Sequence, residues 1–502
     1  RVLFVQDDIA PGFLDMLSGA MAELRVGDPG FLSNDVGPVI DAAALDMLDR
    51  HERRMAKAGR RIHACALDES AAHGTFFAPR AYEIESIDIL EREVFGPFLH
   101  VVRFDADRLD HVVDAINRTG YGLTFGVHSR IDSVAEDLHR RVRAGNTYVN
   151  RNIIGAIVGV QPFGGEGLSG TGPKAGGPNY LRRFSSARLA ETAGWRPAST
   201  AARPRAANWQ TSPIVGGQRR SGTMVMTHAA GHPEAINGTL VLATPDHAEQ
   251  ALALAATAFP RWEERAADER ARLLDAVARD LVSNIRELAE PYADSYMIDA
   301  QRATAGIEDA AAMCRAYATE ARASFAAPIP LHGYTGERDE LTMRGRGVFL
   351  IVLAGTVAAE TMAAAIAAAA AAGNTIVLVT DAVSAHVAAR LAMRFHDAGL
   401  PVDALHFLPM DDDTLRDRLL SDPRTAGLVF AGPVDAAADI DRLLAARDGP
   451  IVPLIVELTD VPGQAALTNA ADLYRFGTER SLSVDTTASG GNASLFSMDD
   501  SG

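Results

Sequence analysis

Two hydrophobic rhythms alternate along this chain. Val2–Val5 is a short apolar run rich in β-formers, and Leu14, Leu17, Met21 and Leu24 then return at helical spacing, which predicts a strand followed by a helix. Gly27-Asp28-Pro29-Gly30 closes that helix. His100–Phe104 predicts another strand. Leu109, Val112, Val113 and Ile116 stripe the next helix, and Val134, Leu138 and Val142 stripe a third. Gly145 is expected to be its left-handed cap, ahead of a strand at Thr147–Val149. Strand–helix alternation of this kind predicts an α/β domain with a mainly parallel sheet over residues 1–184.

The pattern fades over 185–235, where Trp195-Arg196-Pro197, Arg203-Pro204-Arg205 and Pro213 sit among Ala, Ser, Thr and Gly. This segment is expected to be a linker. Residues 236–470 resume the alternation. Thr244-Pro245-Asp246 is a helix start, with a hydroxyl cap, Pro in the first turn and then an acid. Gly347–Leu353, Gly373–Val379, Asp403–Leu408 and Ala426–Phe430 are apolar runs of the kind buried in parallel sheets, and an Ala-rich helix separates the first two. Residues 471–502 are expected to be a tail whose one β-like run, Leu482–Val484, adds to a sheet edge.

Composition narrows the function classes. At 502 residues the chain has room for roughly two to four domains. A hydrophobic share of 47% excludes wholesale disorder. Lys and Arg total 48 against 65 Asp and Glu, a formal charge of -17, and such a surface repels nucleic-acid backbones. Cys65 and Cys314 cannot make a disulfide framework and fit a reducing cytoplasm. The stretch around Ala363–Ala372 is too short and too weakly apolar to span a membrane.

Two stretches carry chemistry. One is Glu93-Val94-Phe95-Gly96-Pro97. The other runs from Gly155-Ala156-Ile157 through Gln161-Pro162-Phe163-Gly164-Gly165-Glu166-Gly167-Leu168-Ser169-Gly170-Thr171-Gly172-Pro173-Lys174-Ala175-Gly176-Gly177-Pro178. Glycine at this density lets backbone N–H groups approach a ligand. In this order and separation the two resemble the catalytic half of the aldehyde dehydrogenase superfamily, and within it the L-glutamate-γ-semialdehyde (1-pyrroline-5-carboxylate) dehydrogenases of the bifunctional proline utilization A family. The resemblance implies an α/β catalytic-half domain followed by a second, Rossmann-type aldehyde-dehydrogenase-like domain. It implies NAD as cofactor, with FAD in a proline dehydrogenase domain outside these residues, and L-glutamate-γ-semialdehyde as substrate. By motif, Glu93 and Phe95 would contact the cofactor, Glu93 accepting from the nicotinamide ribose hydroxyls. The amides of Gly155 and Ala156 would hold the substrate carboxylate, and Phe163 would pack on its aliphatic part.

The same resemblance puts the nucleophilic cysteine, the cofactor-binding half, the oxyanion asparagine and the general-base glutamate upstream of residue 1. The rest of the same protein is then a partner of this chain. Cys65 lies in a strand-like run and Cys314 in an Ala-rich helix, so neither is expected to be the nucleophile.

The second domain resembles the family's nucleotide half with its contacts replaced. Thr356 stands where the oxyanion Asn is expected, Val379 where a ribose-binding Lys is expected, and Asp411–Asp413 where a Gly-rich turn is expected. Glu457 matches a general-base position but has lost the glycines that follow it. Such a domain reads as a non-catalytic cover, ended by the motif Thr478–Leu495. Two functions remain open: part of a proline-catabolic dehydrogenase that does not turn over alone, or a pseudo-enzyme that only binds partners. A homodimer is a further expectation, with Asn150–Ile154 and the segment near Arg182–Ser186 as candidate flap pieces.

Overall fold

The computed structural model describes residues 1–71, 73–185, 208–410, 413–459, 467 and 469–487. The chain forms two compact units. The first holds Arg1–Tyr121 and Arg140–Val142, and the second holds Gly122–His139 and Arg143–Gly502.

In the first unit, four strands lie in the order Val2–Gln6, Phe98–Phe104, Arg80–Ile84, Gly59–Ala64. The first three are parallel, in register Val2 to His100 and Arg80 to Phe98, and the last is antiparallel. The helix Ala42–Ala58 starts where the Asp41 side chain accepts from Ala44 N, satisfying one free amide of the first turn. Its inward face buries Leu48, His51 and Met55 against Phe77, Tyr82 and Phe98. Each of the large apolar side chains contributes about 1.5–3 kcal/mol.

One polar pair is sealed into this core: His51 Nε2 lies 2.7 Å from His100 Nε2. His100 Nδ1 faces the Arg1 carbonyl at 2.9 Å. A carbonyl can only accept, so His100 carries its proton on Nδ1 and accepts at Nε2 from His51. Burial pushes both imidazoles down to about 4.

The second unit is built on a seven-stranded sheet. From one edge, its strands are Gln218–Arg219, Ile214–Val215, Leu405–Pro409, Thr375–Thr380, Val348–Leu353, Thr425–Gly432 and Leu454–Leu458. The last five are parallel and wind outward in both directions from Val348–Leu353, which is the doubly wound pattern expected of a Rossmann-type domain. Alternate residues of the central strand serve opposite cores. Phe349, Ile351 and Leu353 face one, and Val348, Leu350 and Val352 the other. The helix Ala359–Ala371 is buried on every side, and its alanines let the helix Ala300–Ser324 pack closely on it. Thr244 caps the helix Pro245–Glu263 as expected, with His247 Nδ1 accepting from Thr244 N in return.

Several expectations are corrected. The boundary at 184 is not a break, because most of 122–184 belongs to the second unit. Residues 186–207 of the expected linker lie outside the described residues. Residues 208–235 are not a linker but carry Trp209–Thr211, Ile214–Val215, Gln218–Arg219, Met224–Ala229 and the start of His232–Val241 as strands. These are short and interrupted by Pro and Gly, so no period shows. Gly145 is not a left-handed cap, since it is absent from the positive-φ residues and the helix before it ends at Arg141. Glycine is needed there for closeness: a Cβ would lie 2.0 Å from Gly164 O.

The β-run Leu482–Val484 docks by strand pairing as expected, but its place in the tail and at an edge is corrected. Gly477–Asp485 is the middle strand of a five-stranded sheet ordered Ile329–Leu331, Glu337–Gly345, Gly477–Asp485, Asn146–Val149, Thr124–Val127. It runs antiparallel to Glu337–Gly345 and parallel to Asn146–Val149, in register Ser481 to Asn146. It is therefore no edge strand. Residues 488–502 lie outside the described residues.

Candidate functional site

The glycine-rich stretch follows the buried strand Asn146–Val149. Asn150 makes the turn out of it at φ 58°. Its side chain spans the turn, accepting from Ser129 N at 3.0 Å and donating to Ser129 O at 2.9 Å. Gly155 then takes φ 78°, with nothing within 4 Å of the position a Cβ would occupy.

The amides on either side of the Gly155–Ala156 pair are tied down. Ile154 N donates to Asn152 Oδ1 at 3.3 Å and Ile157 N donates to Gln161 Oε1 at 3.2 Å. The amides of Gly155 and Ala156 make no hydrogen bond among the described residues. Gln161 is itself anchored, donating to Glu337 Oε2 at 2.8 Å, while Arg151 holds Glu337 Oε1 at 2.6 Å. Two adjacent free amides on a braced, exposed loop have the geometry to accept a small anion. Phe163 lies six residues beyond Ile157 and is half-buried. Its backbone exchanges both hydrogen bonds with Ala175, at 3.0 and 2.9 Å.

The rest of the stretch is pinned by the strand Gly477–Asp485. Glu479 accepts from Lys174 N through Oε2 and from Asn179 Nδ2 at 2.9 Å through Oε1. Arg480 Nη2 donates to Glu166 Oε1 at 2.8 Å. The Lys174 ammonium is buried and donates to Asn146 Oδ1 at 2.9 Å and to Gly164 O. Burial pushes Lys174 down to about 8, against the pull of Glu479 and Glu166. Glu337 was missed by sequence reasoning, and Glu479 and Arg480 were noted only as part of the motif Thr478–Leu495, without their bracing role. Each is a charged side chain in a polar stretch, and only folding shows its partner.

Glu93 and Phe95 belong to the first unit, in the irregular segment before the strand Phe98–Phe104. Val94 turns into the core while Glu93 and Phe95 are exposed. The Glu93 carboxylate has no hydrogen bond or ion pair among the described residues, and the Arg1 guanidinium lies 5.4 Å from the Phe95 ring centre. An exposed carboxylate with no hydrogen bond, beside an exposed ring, suits a ribose with two vicinal hydroxyls. Gly155, Ala156 and Phe163 belong to the second unit.

Neither cysteine is an activated thiol. Cys65 is buried, its Sγ donates to Met21 O at 3.1 Å, and desolvation raises its pKa. Cys314 is sealed in the helix Ala300–Ser324 and pushed up to about 12.

In the seven-stranded sheet, a ligand would be expected at the carboxyl ends of the central strands. There the turn amide of Gly355 donates to Asp381 Oδ2, while Asp381 Oδ1 accepts from Val383 N at 3.0 Å and Ser384 N at 3.1 Å. A side-chain carboxylate thus occupies donors that an anionic ligand would need. Val379 faces the apolar core with Val352 and Leu408. Glu457 is buried and accepts from Leu467 N at 3.0 Å. Asp411 and Asp412 lie outside the described residues.

A family model, that of the aldehyde dehydrogenase family, matches residues 1–189 and 220–473. This chain belongs to the aldehyde dehydrogenase family. The bifunctional protein PutA of Salmonella typhimurium strain LT2 is 34% identical over 505 residues, covering 99% of this chain and 30% of that protein. The bifunctional protein PutA of Klebsiella aerogenes is 51% identical over 199 residues, 39% of this chain and 15% of that protein. A 1-pyrroline-5-carboxylate dehydrogenase of Geobacillus sp. strain WCH70 is 36% identical over 179 residues, 35% of this chain and 34% of that protein. The chain therefore spans under a third of the length of these PutA relatives. The family membership agrees with the resemblance carried by the glycine-rich stretch, and the fold agrees with its α/β expectation. Among the described residues no helix is long and apolar enough to cross a membrane.

Proposed function

We propose that this chain is part of an NAD-dependent L-glutamate-γ-semialdehyde (1-pyrroline-5-carboxylate) dehydrogenase that acts in converting proline to glutamate. The observation that supports it best is the pair of unpartnered amides at Gly155 and Ala156, braced by Asn152 and Gln161. They would hold the substrate α-carboxylate, and Phe163 would pack on the carbons between that carboxylate and the aldehyde. The Glu93 carboxylate would accept from the nicotinamide ribose hydroxyls, with Phe95 beside it. NAD, when bound, supplies the acceptor for the aldehyde hydride.

The thiolate that attacks the aldehyde has no source in Cys65 or Cys314, and on this reading a further part of the protein would supply it. That part would also carry the flavin domain. The seven-stranded sheet would serve as a non-catalytic cover, because Asp381 takes the Gly355 amide. The setting would be the cytoplasm, and the assembly a homodimer. A second reading, a binding-only pseudo-enzyme, is favoured by the buried thiols alone.

The test combines calorimetry and absorbance on the 502-residue chain. L-glutamate, the product, is expected to bind, and Phe163→Ala to weaken it several-fold. Addition of 1-pyrroline-5-carboxylate and NAD is expected to give no NADH. A thiol reagent is expected to label neither cysteine until the chain is unfolded. Absence of glutamate binding would overturn the carboxylate cradle, and steady NADH formation would overturn the assignment of the nucleophile elsewhere.

A further inference from the structure

Behind the glycine-rich stretch, within the second unit, lies a cleft that no part of the proposed dehydrogenase reaction uses. Its walls come from Thr171–Pro173, the turn Leu181–Phe184, the start of the strand Leu454–Leu458, and the turn Ala470–Phe476. Three arginines line it: Arg183, Arg346 and Arg475. The cavity volume is about 30 Å³, room for about two water-sized groups. That fits the head of a small anion and not a whole dinucleotide.

The hydrogen-bond inventory of these arginines is incomplete. Arg346 Nη2 donates to Thr171 O at 2.7 Å, which fixes the guanidinium against the loop. Its Nε is shielded from solvent and has no partner, and the Arg475 Nε is in the same state. Arg475 and Arg183 make no side-chain hydrogen bond or ion pair among the described residues. Shielded donors such as the Nε groups of Arg346 and Arg475 are normally satisfied, so these two point to a missing acceptor, while the exposed Arg183 guanidinium is open to solvent.

Charge points the same way. Burial lowers the pKa of both Arg346 and Arg475, and the Arg183 charge lowers each further, against the pull of Glu166 and Glu479 on Arg346 and of Asp472 on Arg475. The one carboxylate in the lining is Glu479. Its two oxygens are already taken by Lys174 N and Asn179 Nδ2. Asp472, on the same turn as Arg475, interacts with that arginine but does not line the cleft. The lining itself carries three guanidinium groups to one carboxylate, and Asp472 and Glu166 offset part of that positive charge from outside it. A cationic lining of this kind favours an anion. Gly172 lines the opening at φ 69° with nothing within 4 Å of a Cβ position, which keeps the approach clear.

We propose that Arg183, Arg346 and Arg475 form a phosphate-binding site on the face of this chain that carries the strand Gly477–Asp485. Arginine forks suit the tetrahedral oxygens of phosphate better than a point charge does. The site takes a phosphate group, either free or on a small monoester. Occupancy joins the glycine-rich stretch, the turn at Arg183 and the turn at Arg475 through one ligand, so binding stabilises the native chain.

The experiment is thermal unfolding of the 502-residue chain titrated with potassium phosphate, against potassium chloride at matched ionic strength. A second arm uses glycerol 3-phosphate, and a third uses L-glutamate. Phosphate is expected to raise Tm saturably beyond the chloride control. A matching rise with glycerol 3-phosphate supports the site and shows that monoesters enter it. Arg475→Met is expected to weaken apparent phosphate affinity at least tenfold while leaving glutamate binding near Gly155 unchanged. Should Arg475→Met fail to fold, Arg183→Met, at an exposed position, is expected to give the same loss. A phosphate response equal to chloride, equal affinity in both variants and the parent, or a preference for glutamate at the arginine cluster overturns the proposal. Loss of glutamate binding with the phosphate site intact would count against the dehydrogenase reading alone.

Discussion

Arg480 and Glu166 stand 314 residues apart in the chain and meet at 2.8 Å, with side chains only 9% and 14% exposed. This pair fastens the strand Gly477–Asp485 to the glycine-rich stretch. Beside it, Glu479 holds Lys174 N and Asn179, and Ser481 Oγ donates to Asn146 Oδ1 at 3.0 Å. The loop that presents Gly155 and Phe163 thus rests on a strand contributed by the far end of the chain.

Removing one partner of a shielded pair leaves a charge without compensation. Arg480→Met is expected to destabilise the second unit by about 3 kcal/mol. The double variant Arg480→Met with Glu166→Gln is expected to recover part of that loss. Urea unfolding followed by circular dichroism checks both, and additive losses in the two single variants would show that the pair is not coupled.

Acid sensitivity follows from the buried imidazoles. Burial holds His51, His100, His386 and His406 down to about 4, whereas an unfolded histidine titrates near about 6.5. Between those values the unfolded chain binds more protons than the native one. Stability is therefore flat with respect to these groups above about pH 6.5 and falls as pH drops toward 4. Each imidazole adds up to about 1.4 kcal/mol per pH unit within that window. Urea midpoints between pH 4.5 and 8.5 measure the slope. Replacing His386, whose ring nitrogens meet Thr211 Oγ at 2.7 Å and Thr227 Oγ at 2.8 Å, by Gln is expected to flatten it.

Two glycines with different constraints separate packing from conformation. Gly145→Ala would put a Cβ 2.0 Å from Gly164 O and 2.9 Å from Lys174 Nζ, and is expected to cost about 3 kcal/mol. Gly155→Ala meets no atom and faces only the strain of φ 78°, about 1–2 kcal/mol. The same urea measurements rank the two, and a larger loss for Gly155→Ala would contradict the loop geometry.

Regular patterns were legible before folding. The run Gly347–Leu353 declared a strand buried on both faces, and Thr244-Pro245-Asp246 declared a capped helix, because those signals arise from neighbours in sequence. The family resemblance of the glycine-rich stretch was legible for a similar reason, since the motif is written in consecutive residues. The strands within 208–235 were not legible, because short segments broken by Pro and Gly show no period.

By itself the sequence determined the alternating α/β architecture, the charge balance, and the residue types of the candidate cradle, all properties of local pattern and composition. Only the tertiary structure decided that Thr478-Glu479-Arg480-Ser481 lies inside a sheet, that Asp381 accepts from Gly355 N, and that three arginines share one cleft. Polar residues are buried when distant partners satisfy them, and which partners those are depends on contacts between segments hundreds of residues apart.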